Sequence, residues 1–144
     1  MIARVVILVQ DSRFRRALMQ ELRSEDVHVE YMKPNASSWR ALHREACDLV
    51  VADHDVVPVP VAESITLLKE VPDAPTVALV SWRGNTEESA QLLAAGADLV
   101  LEATTPTKLV AEVLATQLEQ RRDQVAELLT ARPVLVQPRL SDVI

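Results

Sequence analysis

The sequence has few of the residues on which several kinds of binding site depend. Of its 144 residues, two are glycine, one is cysteine and four are aromatic (one Phe, one Tyr and two Trp). Two glycines cannot make a glycine-rich phosphate loop, and the single cysteine, Cys47, excludes an internal disulfide and a multi-cysteine metal site. Four scattered aromatic residues do not form a stacking surface for single-stranded nucleic acid. A chain with one cysteine suits a reducing cytoplasm.

The net charge and the hydropathy pattern argue against further classes of protein. The formal net charge of −6 argues against direct contact with nucleic acid. No apolar run approaches the roughly 20 residues that span a bilayer, and the run after the N-terminus is too short for a signal peptide. We therefore expect no membrane association. With 49% hydrophobic and 25% charged residues, the chain is expected to fold as one globular domain in the cytoplasm.

Short apolar runs alternate with helical periods along the chain. Three of these runs, residues 5–9, 48–53 and 76–80, are typical of strands buried on both faces, and residues 98–101 predict a short strand. Apolar and polar residues alternate over 27–31, which predicts an edge strand. Apolar residues at helical spacing predict five helices, and segments 35–38 and 85–88 offer capping residues at two helix starts. Gly96 fits the position just after a helix.

Five strands alternating with five helices predict an α/β fold, a doubly wound parallel sheet with helices on both faces. In such sheets the binding site lies beyond the carboxyl ends of the strands, where the strand order reverses. The candidate residues at those ends are Gln10, Asp11, Asp53, His54, Asp55, Ser81, Trp82 and residues 102–104. Trp82 has two interpretations, an anchor for a partner protein or a cover for the adjacent loop.

Four segments in this order resemble the receiver domains of bacterial two-component response regulators. They are residues 5–18, 47–53, 74–82 and 94–101 (VVILVQDSRFRRAL, CDLVVAD, APTVALVSW and AAGADLVL). The resemblance implies a flavodoxin-like strand order of 2-1-3-4-5 and a receiver-like domain over residues 1–120. It also implies a phosphoprotein that signals through protein contacts, and not an enzyme with turnover.

By this resemblance, Asp53 is the candidate phospho-acceptor and Ser81 the hydroxyl that switches the adjacent loop. A carboxylate nucleophile receives a phosphoryl group from a kinase histidine, and Mg²⁺ neutralises the transferring charge. The matching metal ligands are Asp11, Asp53 and the backbone carbonyl of Asp55. We expect a weak Mg²⁺ site, because Gln10–Asp11 or, in another alignment, Val9–Gln10 replaces the usual pair of acids.

A second departure from the family is the loss of the lysine that pairs with the phosphoryl group. Its position holds Ala103 or Glu102, depending on the alignment. The loss removes a charge-assisted contact of about 1.5–3 kcal/mol from the phosphorylated state. The sequence therefore predicts an atypical receiver with a degenerate phosphorylation site. One alternative is a working phospho-acceptor in a phosphorelay, with Mg²⁺ held partly by Asp11; another is a doubly wound domain that binds a small molecule.

The last predicted helix is longer than a receiver domain needs. It opens at Thr105–Pro106 and is expected to end near Ala131. Its apolar residues at 3-4 spacing are Ala111, Leu114, Leu118, Val125 and Leu128, with Arg121 interrupting the stripe. This spacing favours a short parallel coiled coil and a homodimer, and the alternative is a helix that folds back on its own domain. Residues 121–144 then form a helical extension and an extended linker that begins at Arg132.

The closing residues 140–144 (LSDVI) faintly resemble the entrance to the ATPase module of bacterial enhancer-binding transcription activators. Together these features predict a cytoplasmic module of two-component signal transduction that serves transcription regulation. Its expected partners are a sensor histidine kinase, an output domain or protein, and a second copy of itself. Direct contact with nucleic acid or a membrane is not expected.

Overall fold

A five-stranded parallel sheet forms the centre of the molecule. The structure is a computed structural model that describes the backbone of residues 2–142 and the side chains of residues 2–124, 126 and 127. The strands are β1 (Ala3–Leu8), β2 (Val27–Tyr31), β3 (Leu49–Asp53), β4 (Thr76–Trp82) and β5 (Leu99–Glu102). Their order across the sheet is β2-β1-β3-β4-β5, and neighbouring strands are parallel. The predicted strand order is confirmed, and β2 lies at an edge as its alternating pattern indicated.

Helices connect the strands. They are α1 (Ser12–Leu22), α2 (Ala36–Ala41), α3 (Val61–Lys69), α4 (Thr86–Ala95) and α5 (Thr107–Asp142), with a 3-10 turn (His54–Val56) after β3. The side chain of Asn35 accepts from the N–H of Ser38 at 2.9 Å, and that of Asn85 from the N–H of Glu88 at 2.8 Å. Gly96 ends α4 with a φ of +122°, a backbone conformation that favours glycine. The predicted starts of α2 and α4 and the predicted end of α4 are thus confirmed.

Two hydrophobic cores lie on opposite faces of the sheet. Val5 and Ile7 belong to one core, and Val6 and Leu8 belong to the other, because successive side chains of a strand point to opposite faces. Side chains of α1 and α5 complete the first core, and side chains of α2, α3 and α4 complete the second. Burial on both faces accounts for the continuous apolar runs of the central strands and confirms the doubly wound arrangement.

The first half of α5 packs on its own domain. Val110, Ala111, Leu114 and Leu118 are buried in the core that α1 shares. This corrects the predicted coiled-coil stripe, since its first three members cover one face of the sheet and are not available to a partner helix. The side chains of the other two, Val125 and Leu128, lie outside the described residues. A coiled coil beyond the domain stays a prediction.

The ends of α5 also differ from the prediction. The helix begins at Thr107 and extends to Asp142, past the expected end near Ala131. Pro133 and Pro138 therefore lie in helical backbone rather than in an extended linker. Proline inside a helix removes one backbone hydrogen bond and costs about 3 kcal/mol, so helical backbone at these two positions runs against the local preference of the sequence. Within the part of the chain that the structure describes, neither α5 nor another helix is long and apolar enough to cross a membrane.

Candidate functional site

A cleft of about 740 Å³ opens at the carboxyl ends of β1, β3 and β4. It is lined by Gln10, Asp11, Asp53, His54, Asp55, Ser81, Trp82, Arg83, Gly84 and Glu88. The sheet thus brings together seven of the predicted candidates at the point where the strand order reverses between β1 and β3. The remaining candidates, residues 102–104, line a neighbouring groove instead.

The carboxylate of Asp53 ends β3 and contacts the chain that follows β1. Its Oδ2 accepts a hydrogen bond from the backbone N–H of Gln10 at 2.8 Å. Its Oδ1 is buried and has no hydrogen-bond partner among the described residues. A buried polar atom without a partner is unfavourable. This oxygen is therefore the atom of the cleft with most to gain from a cation or a hydrogen-bond donor.

The carboxylate of Asp11 caps α1. Its Oδ1 accepts from the backbone N–H groups of Arg13 at 2.9 Å and Phe14 at 3.2 Å. A capping carboxylate of this kind stabilises a helix by about 1 kcal/mol. The sequence analysis considered Asp11 only as a metal ligand and missed this structural role, although an Asp one residue before a helical pattern is a recognised capping signal.

The acids of the cleft do not form a cage for a divalent cation. The side chain of Asp55 is fully exposed on the 3-10 turn, where it contacts Nδ1 of His54 at 3.5 Å. Over the described residues, no three His, Cys, Asp or Glu side chains are grouped so that they could hold a metal ion. Mg²⁺ keeps several of its waters and is held in proteins by one or two carboxylates, so Asp53 with its unpaired Oδ1 is the available anchor, while one oxygen of Asp11 is engaged in capping α1. Ligation by Asp11, Asp53 and the carbonyl of Asp55 stays a prediction.

Ser81 and Trp82 give the end of β4 an unusual backbone. The predicted strand ends at residue 80, but β4 continues to Trp82 through an irregular pairing with β5. Ser81 is exposed and has a φ of +59°, a left-handed conformation that is strained for a residue other than glycine. Strain of this kind is concentrated at functional sites. The hydroxyl assigned to the switch therefore lies on the cleft at a distorted point of the sheet.

The indole of Trp82 covers the adjacent loop. It is buried in the second core, with 6% of its surface exposed. Its ring meets the imidazole of His54 edge to face, with the ring centres 4.6 Å apart. It also occupies the space where a side chain on Gly84 would lie. The covering interpretation of Trp82 is thus the one that the structure favours over an exposed anchor.

Arg83 is a residue of the cleft that the sequence analysis did not single out. It is exposed, and it is the single Arg or Lys among the residues that line the cleft. It also lines the neighbouring groove together with Glu102 and Ala103, the two candidate positions for the missing lysine. A basic residue two positions after Ser81 was the signal available in the sequence. The cation at this rim therefore comes from the β4–α4 loop rather than from the end of β5.

Comparison with known proteins places this architecture among response-regulator receiver domains. No protein-family model and no curated protein matches the sequence. A signal receiver domain from Vibrio parahaemolyticus matches with a TM-score of 0.72 and 15% identity, over 88% of this chain and 97% of that one. A CheY-like receiver domain from Methanospirillum hungatei matches with a TM-score of 0.69 and 19% identity, over 86% and 99%. The BeF3-activated DrrB receiver domain matches with a TM-score of 0.64 and 20% identity, over 83% and 99%.

Proposed function

Because the chain has the fold of response-regulator receiver domains, we propose that it is a cytoplasmic signal-transduction module with a degenerate phosphorylation site. It acts by contact with a sensor histidine kinase or with an output domain or protein, and it is not an enzyme with turnover. The structural matches support the fold. The degenerate site is inferred from the surroundings of Asp53. The backbone amide of Gln10 and the capping carboxylate of Asp11 lie where the family resemblance implies a pair of metal-binding acids.

The chemistry of aspartyl phosphorylation explains why these surroundings matter. A phosphoryl group on Asp53 would carry its charge into a cleft that also holds Asp11, Asp55 and Glu88. Mg²⁺, when bound, would supply the positive charge that offsets this repulsion. The chain's own positive contribution is the guanidinium of Arg83 at the mouth of the cleft. One exposed cation against several carboxylates disfavours the phosphorylated state.

A phosphoryl analogue tests this proposal directly. The chain is titrated with beryllium fluoride and Mg²⁺ while the backbone amide signals of Gln10, Asp53 and Ser81 are followed by NMR. We expect no saturable shift of these signals. Asp53→Asn is the matched variant that removes the acceptor, and Asp55→Asn is the control that removes an exposed charge next to it. Saturable shifts that Asp53→Asn abolishes and Asp55→Asn retains would contradict the degenerate site.

Fluorescence of Trp82 gives an independent measurement of the same titration. The chain has two tryptophans, so Trp39→Phe leaves Trp82 as the single indole at the cleft. The indole N–H of Trp39 is buried and has no hydrogen-bond partner among the described residues, so phenylalanine removes no bond there. We expect the emission of Trp82 to stay unchanged by the analogue. A saturable change would point to a loop that responds to the occupied site.

A working phospho-acceptor is the second candidate, and one observation favours it. The unpaired Oδ1 of Asp53 and the exposed Ser81 belong to the same cleft, so an acceptor oxygen and a switch hydroxyl are both present. In this candidate the chain is a phosphorelay receiver in which Asp11 helps to hold Mg²⁺. The analogue titration separates the two candidates, because saturable binding through Asp53 is expected only for the second.

Assembly is a further part of the proposal. We propose that the chain forms a homodimer through α5 beyond the domain, in the service of transcription regulation by a response regulator. Val125 and Leu128 support this, since in the sequence they continue the 3-4 spacing of apolar residues beyond Arg121. Sedimentation of the full chain over a range of concentrations is expected to show a monomer–dimer equilibrium. A monomer at every concentration would contradict the dimer.

A further inference from the structure

One side chain attaches α5 to the amino ends of the strands. The guanidinium of Arg121 donates from Nη1 to the carbonyl of Ala74 at 2.8 Å and from Nη2 to the carbonyl of Asp73 at 3.3 Å. Its Nε lies 3.4 Å from Oδ1 of Asp48. The other oxygen of Asp48 accepts from the backbone N–H of Arg4 at 2.8 Å. Arg121 therefore joins α5 to the start of β3, to β1 and to the α3–β4 loop at once.

The groups that receive Arg121 are held in place by the fold. Asp73 has a φ of +55°, so its carbonyl sits on a left-handed turn rather than on a freely extended loop. The Arg121 side chain is 21% exposed and that of Asp48 is 32% exposed, so both charges are largely withdrawn from water. A guanidinium that binds two carbonyls and a carboxylate in a partly buried place has one favourable orientation.

Arg121 lies just past the packed part of α5. Leu118, about one turn earlier, is the last core residue of the helix among the side chains that the structure describes. The next side chains that the structure describes, Arg122, Asp123 and Gln124, are exposed. Arg121 therefore adds a polar attachment at the end of the apolar contacts that α5 makes through Val110, Ala111, Leu114 and Leu118.

We propose that Arg121 is a positioning residue that makes the domain and the following part of α5 one rigid body. The clamp of Arg121 on Asp48, Asp73 and Ala74 fixes the angle at which the helix departs. A change in the orientation of the domain then changes the orientation of the following part of α5 by the same angle, because no flexible joint lies between them. This inference does not depend on phosphorylation of Asp53, because the clamp lies at the opposite end of the sheet.

Distances between two spin labels test the clamp in the full chain. The labels are placed by Glu25→Cys, beyond the end of α1, and Glu127→Cys on α5, both exposed positions, with the buried Cys47 replaced by alanine. Labelled chains are diluted with unlabelled chains so that distances within one molecule are measured. We expect a narrow distance distribution for the parent. In Arg121→Gln the population outside this distribution is expected to rise at least about tenfold, which corresponds to the loss of one of the three contacts of the guanidinium.

Two matched variants make the outcome decisive. Arg122→Gln removes the same charge from the adjacent exposed residue and is expected to keep the narrow distribution. Asp48→Asn keeps an acceptor for Arg4 but removes the charge that faces Arg121, so an intermediate broadening is expected. Thermal unfolding of each variant verifies that the domain is folded. A narrow distribution in a folded Arg121→Gln variant, or a broad one in the parent, would overturn the proposal.

Discussion

Two aspartates flank the same strand, and they have opposite environments. Asp48 precedes β3 at the amino end of the sheet, where it binds the backbone N–H of Arg4 and the guanidinium of Arg121. Asp53 ends β3 at the carboxyl end, where one oxygen binds the N–H of Gln10 and the other is buried without a partner among the described residues. At the amino end of the strand the carboxylate has partners for both oxygens. At the carboxyl end one carboxylate oxygen remains available to a ligand.

This contrast indicates that the residues that stabilise the fold and the residues of the candidate site lie at opposite ends of the sheet. At the amino end, Arg4 forms ion pairs with Glu30 and Glu45. Arg121 forms an ion pair with Asp48, so polar side chains at this end stabilise contacts between elements. At the carboxyl end the strained Ser81 and the unpaired oxygen of Asp53 lower stability rather than add to it. Packing of Trp82 holds that end together instead.

Truncation of Trp82 is expected to have the largest effect. Trp82→Ala removes a large buried side chain from the second core, and we expect a loss of about 3–5 kcal/mol in the free energy of unfolding. Urea denaturation measures it. Leu93→Ala on α4 removes an exposed side chain and is expected to cost less than about 1 kcal/mol. A small effect of Trp82→Ala would mean that packing does not hold the carboxyl end.

Alanine at the two aspartates compares the ends directly. Asp48→Ala leaves the N–H of Arg4 without its acceptor and takes the carboxylate from the guanidinium of Arg121, which keeps its two carbonyl acceptors, and we expect a loss of about 2–3 kcal/mol. Asp53→Ala loses one exposed hydrogen bond and also removes the unpaired oxygen, so its unfolding free energy is expected to stay within about 1 kcal/mol of the parent. Urea denaturation of both variants measures the two changes in the free energy of unfolding. Equal losses would remove the distinction between the two ends.

Gly84→Ala introduces a side chain where the indole of Trp82 lies. The ring must move, and overpacking of this kind is expected to cost about 1–3 kcal/mol. The emission of Trp82 should change with it, measured in the Trp39→Phe background. Arg83→Ala, at the adjacent exposed residue, is the control and is expected to change stability by less than about 0.5 kcal/mol. Unaltered emission in Gly84→Ala would contradict the placement of the indole.

The buried thiol of Cys47 predicts a pH dependence at the amino end. Burial, with a smaller contribution from Asp48, raises the pKa of Cys47 from 9.0 to about 11. Above pH 9 the unfolded chain releases this proton while the folded chain keeps it until about pH 11. Stability therefore falls as pH rises through this window, by up to about 1.4 kcal/mol per pH unit.

Cys47→Ala isolates that contribution from the other groups that titrate at high pH. The difference in unfolding free energy between parent and variant is compared at pH 8 and pH 10. We expect the parent to lose about 1 kcal/mol more than the variant between these values. A difference that does not depend on pH would show that the thiol is not withdrawn from water in the folded chain.

Much of the fold could be predicted because its signals are local. The continuous runs around Val50 and Val77 indicated buried strands, and alternation over 27–31 indicated the edge strand. Asn35, Asn85 and Gly96 marked helix ends because capping and left-handed backbone demand particular residue types. The ends of α5 were predicted less well, since no capping signal separates a packed helix from one that continues past Pro133.

The sequence by itself determined the alternation of strands and helices, and so the meeting of Asp53 and Ser81 at one edge of a parallel sheet. The contacts of Arg121 and Arg83 depended on the tertiary structure alone: Arg121 clamps α5 and Arg83 lines the cleft, and no local pattern distinguishes these two roles. The capping role of Asp11, by contrast, has a local signal. Hydrophobic periodicity reflects interactions among residues a few positions apart in the sequence. The partner of a charged side chain depends on how distant segments pack, as for Arg121 and Asp48, which are 73 residues apart.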